Sequence, residues 1–186
     1  MLVCPYCGAE NIEGMDACDS CQQALTDLSI RVPISGVEAG LLRDRVSQLP
    51  VHKPIAVDPS TPVGEVLREM VDDRIGCVLI VRQADPDTLV GIFSERDALM
   101  KLNVDAPKWL HLPVEQFMTP NPAVVPSDAK IAYALHKMNI GGYRHLPVLV
   151  GTRPVSVISM RDLLRYLTER ATSATLGGHL LGGPGA

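Results

Sequence analysis

The residues with the clearest chemistry are four cysteines near the start of the chain. They form two Cys-x-x-Cys pairs, Cys4 with Cys7 and Cys18 with Cys21. Two such turns that face each other hold four thiolates in a tetrahedron, an arrangement that suits zinc and, less often, iron. We expect one zinc ion per chain, bound by these four residues. Iron and a pair of structural disulfides are the alternatives, and the paired spacing without an export signal argues against disulfides.

A second group of residues has the chemistry to bind a nucleotide. Two Ser-x-x-Asp motifs, Ser94 to Asp97 and Ser159 to Asp162, stand where a helix is expected to follow a strand. An aspartate in the first turn of a helix can accept two hydrogen bonds from a ribose cis-diol, as acidic residues do in dinucleotide-binding folds. The serine and the free N–H groups of the helix stabilise phosphate, and nearby arginines add forked donors. These arginines are Arg96, Arg144 and Arg161. Taken singly, each motif is an ordinary helix cap.

The charge of the chain is unevenly distributed. Residues 1–30 contain five acidic residues and no lysine or arginine, so all 17 basic residues of the chain fall in residues 31–186. Because the acidic segment has no cation to neutralise a phosphate, nucleic acid is a disfavoured partner. No apolar run reaches the roughly 18 residues that cross a bilayer. We therefore expect a cytoplasmic protein that does not engage a membrane.

The chain repeats itself at an offset of 68 residues. Val46 and Met70 of the first copy match Val114 and Met138 of the second, and a loop after Val81 is the place where the register slips. Each copy predicts the order β-α-β-β-α. The expected strands are 55–57, 76–81 and 89–93 in the first copy, and 123–125, 146–150 and 154–158 in the second. A Ser/Asp/Thr turn is expected to cap the first helix of each copy, and Ser94 or Ser159 the second.

The pattern predicts an α/β (α+β) fold. Neither copy alone can cover both faces of three strands, so we expect the two to pack together as a pseudo-twofold pair. The predicted domains are a zinc ribbon over 1–30, a linker over 31–44, a first repeat over 45–110, a second repeat over 111–170 and a flexible tail over 171–186. Within this scheme 22–35 is expected to be extended, and 37–49 has weak helical spacing.

The repeats resemble the CBS domain, and the pair looks like a tandem CBS module (Bateman module) over about residues 45–168. The most specific stretches are Phe-Met-Thr-Pro-Asn-Pro at 117–122, Arg-His-Leu-Pro-Val at 144–148, and the two endings at 91–97 and 156–162. The first 30 residues are similar to the short zinc ribbon found at the ends of many bacterial and archaeal proteins. The resemblance implies a sensor of adenosine compounds such as AMP, ADP, ATP or S-adenosylmethionine, a homodimer, and no catalytic activity.

The resemblance also implies two clefts, each with the adenine wall of one repeat and the Ser-x-x-Asp turn of the other. One cleft would combine Ile55, Val57, Ile75 and Gly76 with Ser159, Arg161 and Asp162. The other would combine Ala123, Val125, Tyr143 and Arg144 with Ser94, Arg96 and Asp97. Thr119, His145 and Pro147 complete the predicted nucleotide-binding residues. The first repeat has Gly76-Cys77 where the second has Arg144-His145, which weakens the expectation of phosphate binding in the first cleft.

The leading functional hypothesis is a regulatory protein whose ribbon passes a ligand-dependent shift to an unidentified protein partner. One alternative is an interaction scaffold whose clefts bind no ligand. Another is a nucleic-acid-associated regulator, which the absence of lysine and arginine from residues 1–30 disfavours. The sequence contains no P-loop, no Gly-x-Gly-x-x-Gly motif and no nucleophile–base pair that would indicate an enzyme.

Overall fold

The two copies of the repeat each contribute a β-sheet in the computed structural model of the protein. The structure describes residues 2–12, 16–25, 36–50 and 53–178. The described residues divide into two compact units. The ribbon unit takes its residues from 1–50, 127–144 and 159–186, and the sheet unit from 51–126 and 145–158. Most of the segment expected to be extended (26–35) and the end of the expected tail (179–186) lie outside the described residues.

The first sheet has four strands in the order β3-β4-β5-β6. They are β3 (Ala56–Val57), β4 (Cys77–Arg82), β5 (Asp85–Ser94) and β6 (Thr119–Pro120). Strand β3 is parallel to β4, and the other pairs are antiparallel. Residues 77–81 are all apolar and all buried, as is typical of a central strand that is covered on both faces.

The second sheet has three strands in the order β7-β8-β9. They are β7 (Val125–Pro126), which is parallel to β8 (His145–Val150), and β9 (Arg153–Ser159). The turn between β8 and β9 contains Gly151 at a φ of 62°, a conformation that favours glycine. All six predicted strands are present with shifted ends. The largest shift is at β5, which begins at Asp85, four residues before the expected start at 89.

The two sheets contact each other inside the sheet unit. Val157 of β9 packs against a buried cluster of Cys77, Leu79 and Ile92 from the first sheet. An exposed ion pair between Arg153 and Asp87, 3.4 Å long, joins the two hairpins. The expectation that strands of the two copies share a core is therefore confirmed for this unit.

Three helices belong to the sheet unit. They are α2 (Val63–Asp72), α3 (Glu95–Asp97), which continues as a π-helical turn over Ala98–Leu102, and α4 (Ala106–Trp109). Short 3-10 turns occupy Asn103–Asp105 and Val114–Gln116. Val63, Val66 and Met70 of α2 are buried against Ile80 and Phe93, so the predicted apolar face of this helix is confirmed.

The ribbon unit combines a small hairpin with three helices. Strand β1 (Leu2–Val3) pairs antiparallel with β2 (Glu10–Asn11). The helices α1 (Gly36–Arg43), α5 (Ile131–Gly141) and α6 (Met160–Gly178) contact one another, and Val46–Gln48 forms a 3-10 turn. The carboxylate of Asp44 accepts hydrogen bonds from Tyr166 at 2.7 Å and from Arg170, which fastens the end of α1 to α6.

The helix starts differ in part from the sequence prediction. The expected Ser/Asp/Thr caps of α2 and α5 are wrong, because these helices begin after Pro62 and Lys130 without a side-chain cap. Asp58 instead accepts hydrogen bonds from Ser60 within its own turn. Helix α6 continues through Gly178, into the segment for which the sequence predicts a flexible tail. Among the described residues, none of the helices has the length and apolarity that crossing a bilayer requires.

Candidate functional site

The first Ser-x-x-Asp motif forms a reciprocal cap at the start of α3. The backbone N–H and the hydroxyl of Ser94 donate to Oδ2 of Asp97 at 3.0 and 2.6 Å, and the N–H of Asp97 donates back to the serine hydroxyl at 3.4 Å. The strand β5 ends at Ser94, so the motif stands at the junction between strand and helix. The predicted capping box is confirmed, and it fixes the carboxylate of Asp97 in the first helical turn.

The second motif repeats this geometry at the start of α6. Ser159 donates to Oδ2 of Asp162 from its N–H at 2.9 Å and from its hydroxyl at 2.6 Å, and the N–H of Asp162 donates back at 3.3 Å. Oδ1 of Asp162 lies 3.4 Å from the guanidinium of Arg165. The two copies therefore hold two equivalent carboxylates in equivalent turns.

Each turn is also tied by its backbone to the loop that precedes the central strand of its own copy. The N–H of Glu95 donates to the carbonyl of Gly76 at 3.0 Å, and the N–H of Met160 donates to the carbonyl of Arg144 at 2.9 Å. Residues predicted to form the adenine wall thus lie beside the Ser-x-x-Asp turn of the same copy.

The ring of His145 lies against Gly76. A Cβ at residue 76 would stand 2.7 Å from Nε2 of His145, so a larger residue there would have to displace the ring. The first copy has Gly76-Cys77 at the positions where the second has Arg144-His145. The contact explains the glycine, since a residue without a side chain at position 76 leaves room for the ring of His145. Gly76 and His145 were both predicted to contact the ligand, although only Gly76 was assigned to a particular cleft.

The carboxylate of Asp97 has two further partners. Thr119 donates to Oδ1 at 2.8 Å, and Nζ of Lys101 lies 2.7 Å from the same oxygen. Burial raises the pKa of Asp97, but the hydrogen bonds from Lys101, Ser94 and Thr119 outweigh it and hold this pKa below its usual range. The residues predicted from the sequence to bind nucleotide include Thr119 but not Lys101. Lys101 follows Asp97 by four residues, a spacing that favours an ion pair on a helix and could have indicated this contact.

The other predicted nucleotide residues fall in both units. In the sheet unit, the carbonyl of Ile55 accepts from Leu79, Val125 is paired with Val148, and Pro147 is buried in β8. The remaining predicted residues of this unit are Val57, Ile75, Ala123 and Arg96. Tyr143, Arg144 and Arg161 are exposed in the ribbon unit. The grouping of residues from both units into two clefts stays a prediction.

The four predicted metal ligands converge. The sulfur atoms of Cys4, Cys7, Cys18 and Cys21 all lie within 4.8 Å of one another. The Cys4–Cys21 and Cys7–Cys18 sulfurs are 3.7 and 3.6 Å apart. A tetrahedral zinc site with Zn–S bonds of about 2.3 Å places its sulfurs about 3.8 Å apart, so the donor set fits zinc. All four cysteines are free thiols in the structure, which disagrees with the alternative of two disulfides.

The two Cys-x-x-Cys turns have the same backbone design. Cys4 exchanges hydrogen bonds with Gly8 and Ala9, as Cys18 does with Gln22 and Gln23, at 2.8–2.9 Å. Gly8 has a φ of 79°, a conformation that favours glycine, whereas the equivalent Gln22 adopts 60° with a side chain present.

Two further interactions organise the thiols. The buried side chain of Asn11 donates to Ala9 and accepts from Asp19 at 3.0 Å, so it links the two turns. Burial opposes ionisation of Cys18, yet the backbone N–H groups of Cys21 and Ser20 lower the pKa of its thiol to about 6. This lowering is not shared by Cys4 or Cys21, since burial raises the pKa of both thiols. A thiol that ionises readily, as that of Cys18 does, suits metal binding because the ligand is the thiolate.

The cysteine cluster contacts helix α5. Nε2 of His136 lies 3.1 Å from the carbonyl oxygen of Cys21, and the His136 ring is tilted against Tyr6 with centroids 6.4 Å apart. Both contacts lie within the ribbon unit. The four-cysteine segment therefore packs on the first helix of the second repeat, a contact that could not be foreseen from the sequence.

Comparison with known proteins agrees with the fold and with its two repeats. The profile of the CBS domain matches residues 46–103 and again 114–169. The chain belongs to the CBS-domain family. A 17.7 kDa protein of Acidianus ambivalens is 30% identical over 129 residues, which is 67% of this chain and 74% of that protein. A CBS domain-containing protein of Arabidopsis thaliana is 31% identical over 149 residues. That match covers 80% of this chain but only 26% of the plant protein.

Solved structures also include relatives of this CBS pair. A CBS domain protein of Pyrobaculum aerophilum, complexed with AMP, superimposes with a TM-score of 0.60 at 27% identity. The match covers 69% of this chain and 99% of the other. The resemblance that the sequence indicated is thus confirmed at the level of family and fold.

Proposed function

We propose that this CBS-domain protein is a regulatory sensor that binds adenosine nucleotides through the ribose at Asp97 and Asp162. The observation that carries the proposal is the duplicated Ser-x-x-Asp turn, in which the same three hydrogen bonds hold each carboxylate at the start of a helix. A carboxylate fixed in this way can accept two hydrogen bonds from a cis-diol beside N–H groups that stabilise phosphate. The AMP complex of the Pyrobaculum relative supports the choice of ligand class.

Phosphate recognition is assigned to the arginines next to the turns. Arg161 follows Met160 directly, and the carbonyl of Arg144 is bonded to the N–H of Met160, so both arginines lie beside the Asp162 turn. Both are exposed, and a guanidinium offers paired donors to a phosphate. Regulation then requires a nucleotide that binds one arrangement of the repeats more tightly than another.

The four-cysteine cluster is proposed to hold one structural zinc ion per chain. Its sulfur spacing fits tetrahedral coordination, and a segment this short depends on metal for its folding energy. His136 forms a hydrogen bond with the carbonyl of Cys21, one of the four ligands, so the metal is proposed to stabilise the packing of the ribbon on α5. The ribbon is proposed to present an acidic surface to a protein partner.

A homodimer formed through the repeats is the proposed assembly. Leu99, Met100 and Val104 are 74%, 73% and 93% exposed after the first Ser-x-x-Asp turn. Leu164, which matches Leu99 in the second copy, is 57% exposed. Exposed apolar side chains after the first turn, one of which recurs in the second copy, suit burial against a second copy of the chain.

Isothermal titration with AMP, ATP, NAD and S-adenosylmethionine tests the ligand class, with 2′-deoxy-AMP as the matched control. The proposal expects binding of at least one adenosine compound, and weaker binding of the deoxy analogue when AMP binds. Absence of heat with all of them would favour the interaction scaffold. Native mass spectrometry of the same sample reports metal content, retained nucleotide and oligomeric state together.

A further inference from the structure

Lys101 has an unusually complete set of partners for a surface lysine. Its Nζ lies 2.7 Å from Oδ1 of Asp97 and 2.8 Å from the carbonyl oxygens of both Phe117 and Met118, with the hydroxyl of Thr119 at 3.4 Å. An ammonium has three donors, so the three short contacts satisfy it. Lys101 therefore fastens the 117–119 segment to the Asp97 turn.

The same contacts leave the Asp97 carboxylate without a vacant acceptor position. Oδ2 accepts both the N–H and the hydroxyl of Ser94, and Oδ1 accepts Lys101 and Thr119. Two carboxylate oxygens offer about four lone-pair positions in all. A ribose diol needs two of them, so it must displace donors. The Ser94 bonds belong to the helix cap, which leaves Lys101 and Thr119 as the donors that yield.

The Asp162 turn differs at this point. Its Oδ2 is used by Ser159 in the same way, but its Oδ1 meets a guanidinium only at the longer distance of 3.4 Å. The residue of the second copy that matches Lys101 is Tyr166, and its hydroxyl donates to Asp44 instead. The two turns are alike in the cap and unlike in the cation beside the carboxylate.

We propose that Lys101 is an affinity-determining residue that competes with ribose for Asp97, so that a nucleoside fills the Asp162 site before the Asp97 site. This inference rests on the proposed function. It gives the two sites different affinities, which lets one protein respond to the same ligand over two concentration ranges.

The test compares the Lys101→Met/Asp162→Asn double variant with the Asp162→Asn single variant. In both proteins the Asp162→Asn substitution leaves only the Asp97 site. Methionine removes the charge and the donors and keeps a chain of similar length. Lys108→Met is the matched control, because Lys108 forms an exposed ion pair of 2.6 Å with Asp105 rather than with Asp97. The probes are adenosine and 2′-deoxyadenosine, measured by isothermal titration. Should Lys101→Met fold poorly by circular dichroism, Lys101→Gln replaces it.

The expected result is an increase in adenosine affinity of about three- to tenfold for Lys101→Met, no change for Lys108→Met, and little gain for 2′-deoxyadenosine. Unchanged or weaker adenosine binding by Lys101→Met would overturn the inference. An equal gain for both nucleosides would also overturn it, since the competition would then not be for the ribose diol. If neither adenosine nor AMP binds even to the protein with Asp162 intact, the proposed function itself fails, which separates the two outcomes.

Discussion

The hydroxyl of Thr119 donates a hydrogen bond of 2.8 Å to the carboxylate of Asp97, and this bond joins the edge strand β6 to the first turn of α3. Thr119 belongs to the first sheet by strand pairing, although it opens the second repeat in sequence. Asp97, which is proposed to bind ribose and belongs to the first copy, is thus positioned by Thr119 of the second copy. The Asp97 carboxylate is therefore held by residues of both copies.

Replacing Thr119 by valine is expected to raise the pKa of Asp97 towards its ordinary value, because one of the hydrogen bonds that favour the charged carboxylate is lost. Since the folded pKa of Asp97 is depressed, its contribution to stability is present above the unfolded pKa of about 3.9 and is lost as the pH falls through the folded pKa. Thr119→Val should therefore reduce the loss of stability on acidification. Carboxyl carbon NMR of Asp97 measures the pKa directly.

Thr119→Ser is the control for this experiment, because serine keeps the hydroxyl. It should leave the pKa of Asp97 close to that of the wild type. An unchanged pKa in Thr119→Val would show that the hydroxyl is not a significant partner of the carboxylate.

Replacing Cys18 by serine is expected to lower the zinc content of the purified protein well below one ion per chain. Cys18 is buried and supplies one of the four sulfurs, so three ligands would remain. Cys77→Ala is the matched control, since Cys77 lies in β4, and burial together with the charges of Glu95 and Asp97 raises its thiol pKa to about 12. Elemental analysis by mass spectrometry reports both variants. Equal metal loss in both variants, or no metal in the wild type, would contradict the assignment.

Replacing His136 by phenylalanine is expected to loosen the ribbon from α5. The variant keeps an aromatic ring beside Tyr6 and loses the hydrogen bond to the carbonyl of Cys21, a loss of about 1 kcal/mol. Hydrogen exchange of the amides in 16–25 should become faster, with the zinc content preserved. The exposed His111 gives a control in His111→Phe, which should leave the same amides unchanged. Unaltered exchange in His136→Phe would mean that packing alone seats the ribbon.

Replacing Tyr166 by phenylalanine is expected to destabilise the contact of α1 with α6 by about 1 kcal/mol. The Tyr166 hydroxyl is the principal cause of the lowered pKa of Asp44, and the Asp44 carboxylate in turn helps burial to raise the pKa of Tyr166 to about 12. Since the folded pKa of Asp44 is lowered, its contribution to stability is present above the unfolded pKa of about 3.9 and is lost as the pH falls through the folded pKa. Urea unfolding at pH 7 and pH 3 should therefore show a larger difference between variant and wild type at pH 7. The same difference at both pH values would rule out an ionised Asp44 as the partner.

The sequence indicated most of the fold because its signals were local and duplicated. Matching apolar spacing in both copies predicted the strands and the buried face of α2, and the Ser-x-x-Asp spacing predicted the caps at Ser94 and Ser159. The caps of α2 and α5 were wrong because a Ser/Asp/Thr cluster before a helix also forms turns of its own, as Asp58 does with Ser60.

The partners of the site residues were harder to predict, since they come from distant parts of the chain. Lys101 meets Phe117 and Met118, and His136 meets Cys21, only because tertiary packing brings these segments together. Nothing in the residue types alone distinguishes Lys101 from a solvated lysine. The four cysteines are the exception, because thiolate spacing specifies a metal site without reference to the rest of the fold.

Titration of AMP into wild-type protein and into the Asp97→Asn/Asp162→Asn double variant tests whether the two carboxylates bind the ribose of a nucleotide. Asparagine keeps an acceptor oxygen for the serine cap and removes the charge that favours ribose hydroxyls. Each lost hydrogen bond to a charged group is worth about 1.5–3 kcal/mol, or roughly 10- to 150-fold in affinity. The account predicts AMP binding to the wild type and a loss of at least about tenfold in the double variant. AMP binding of equal strength in both proteins would contradict it.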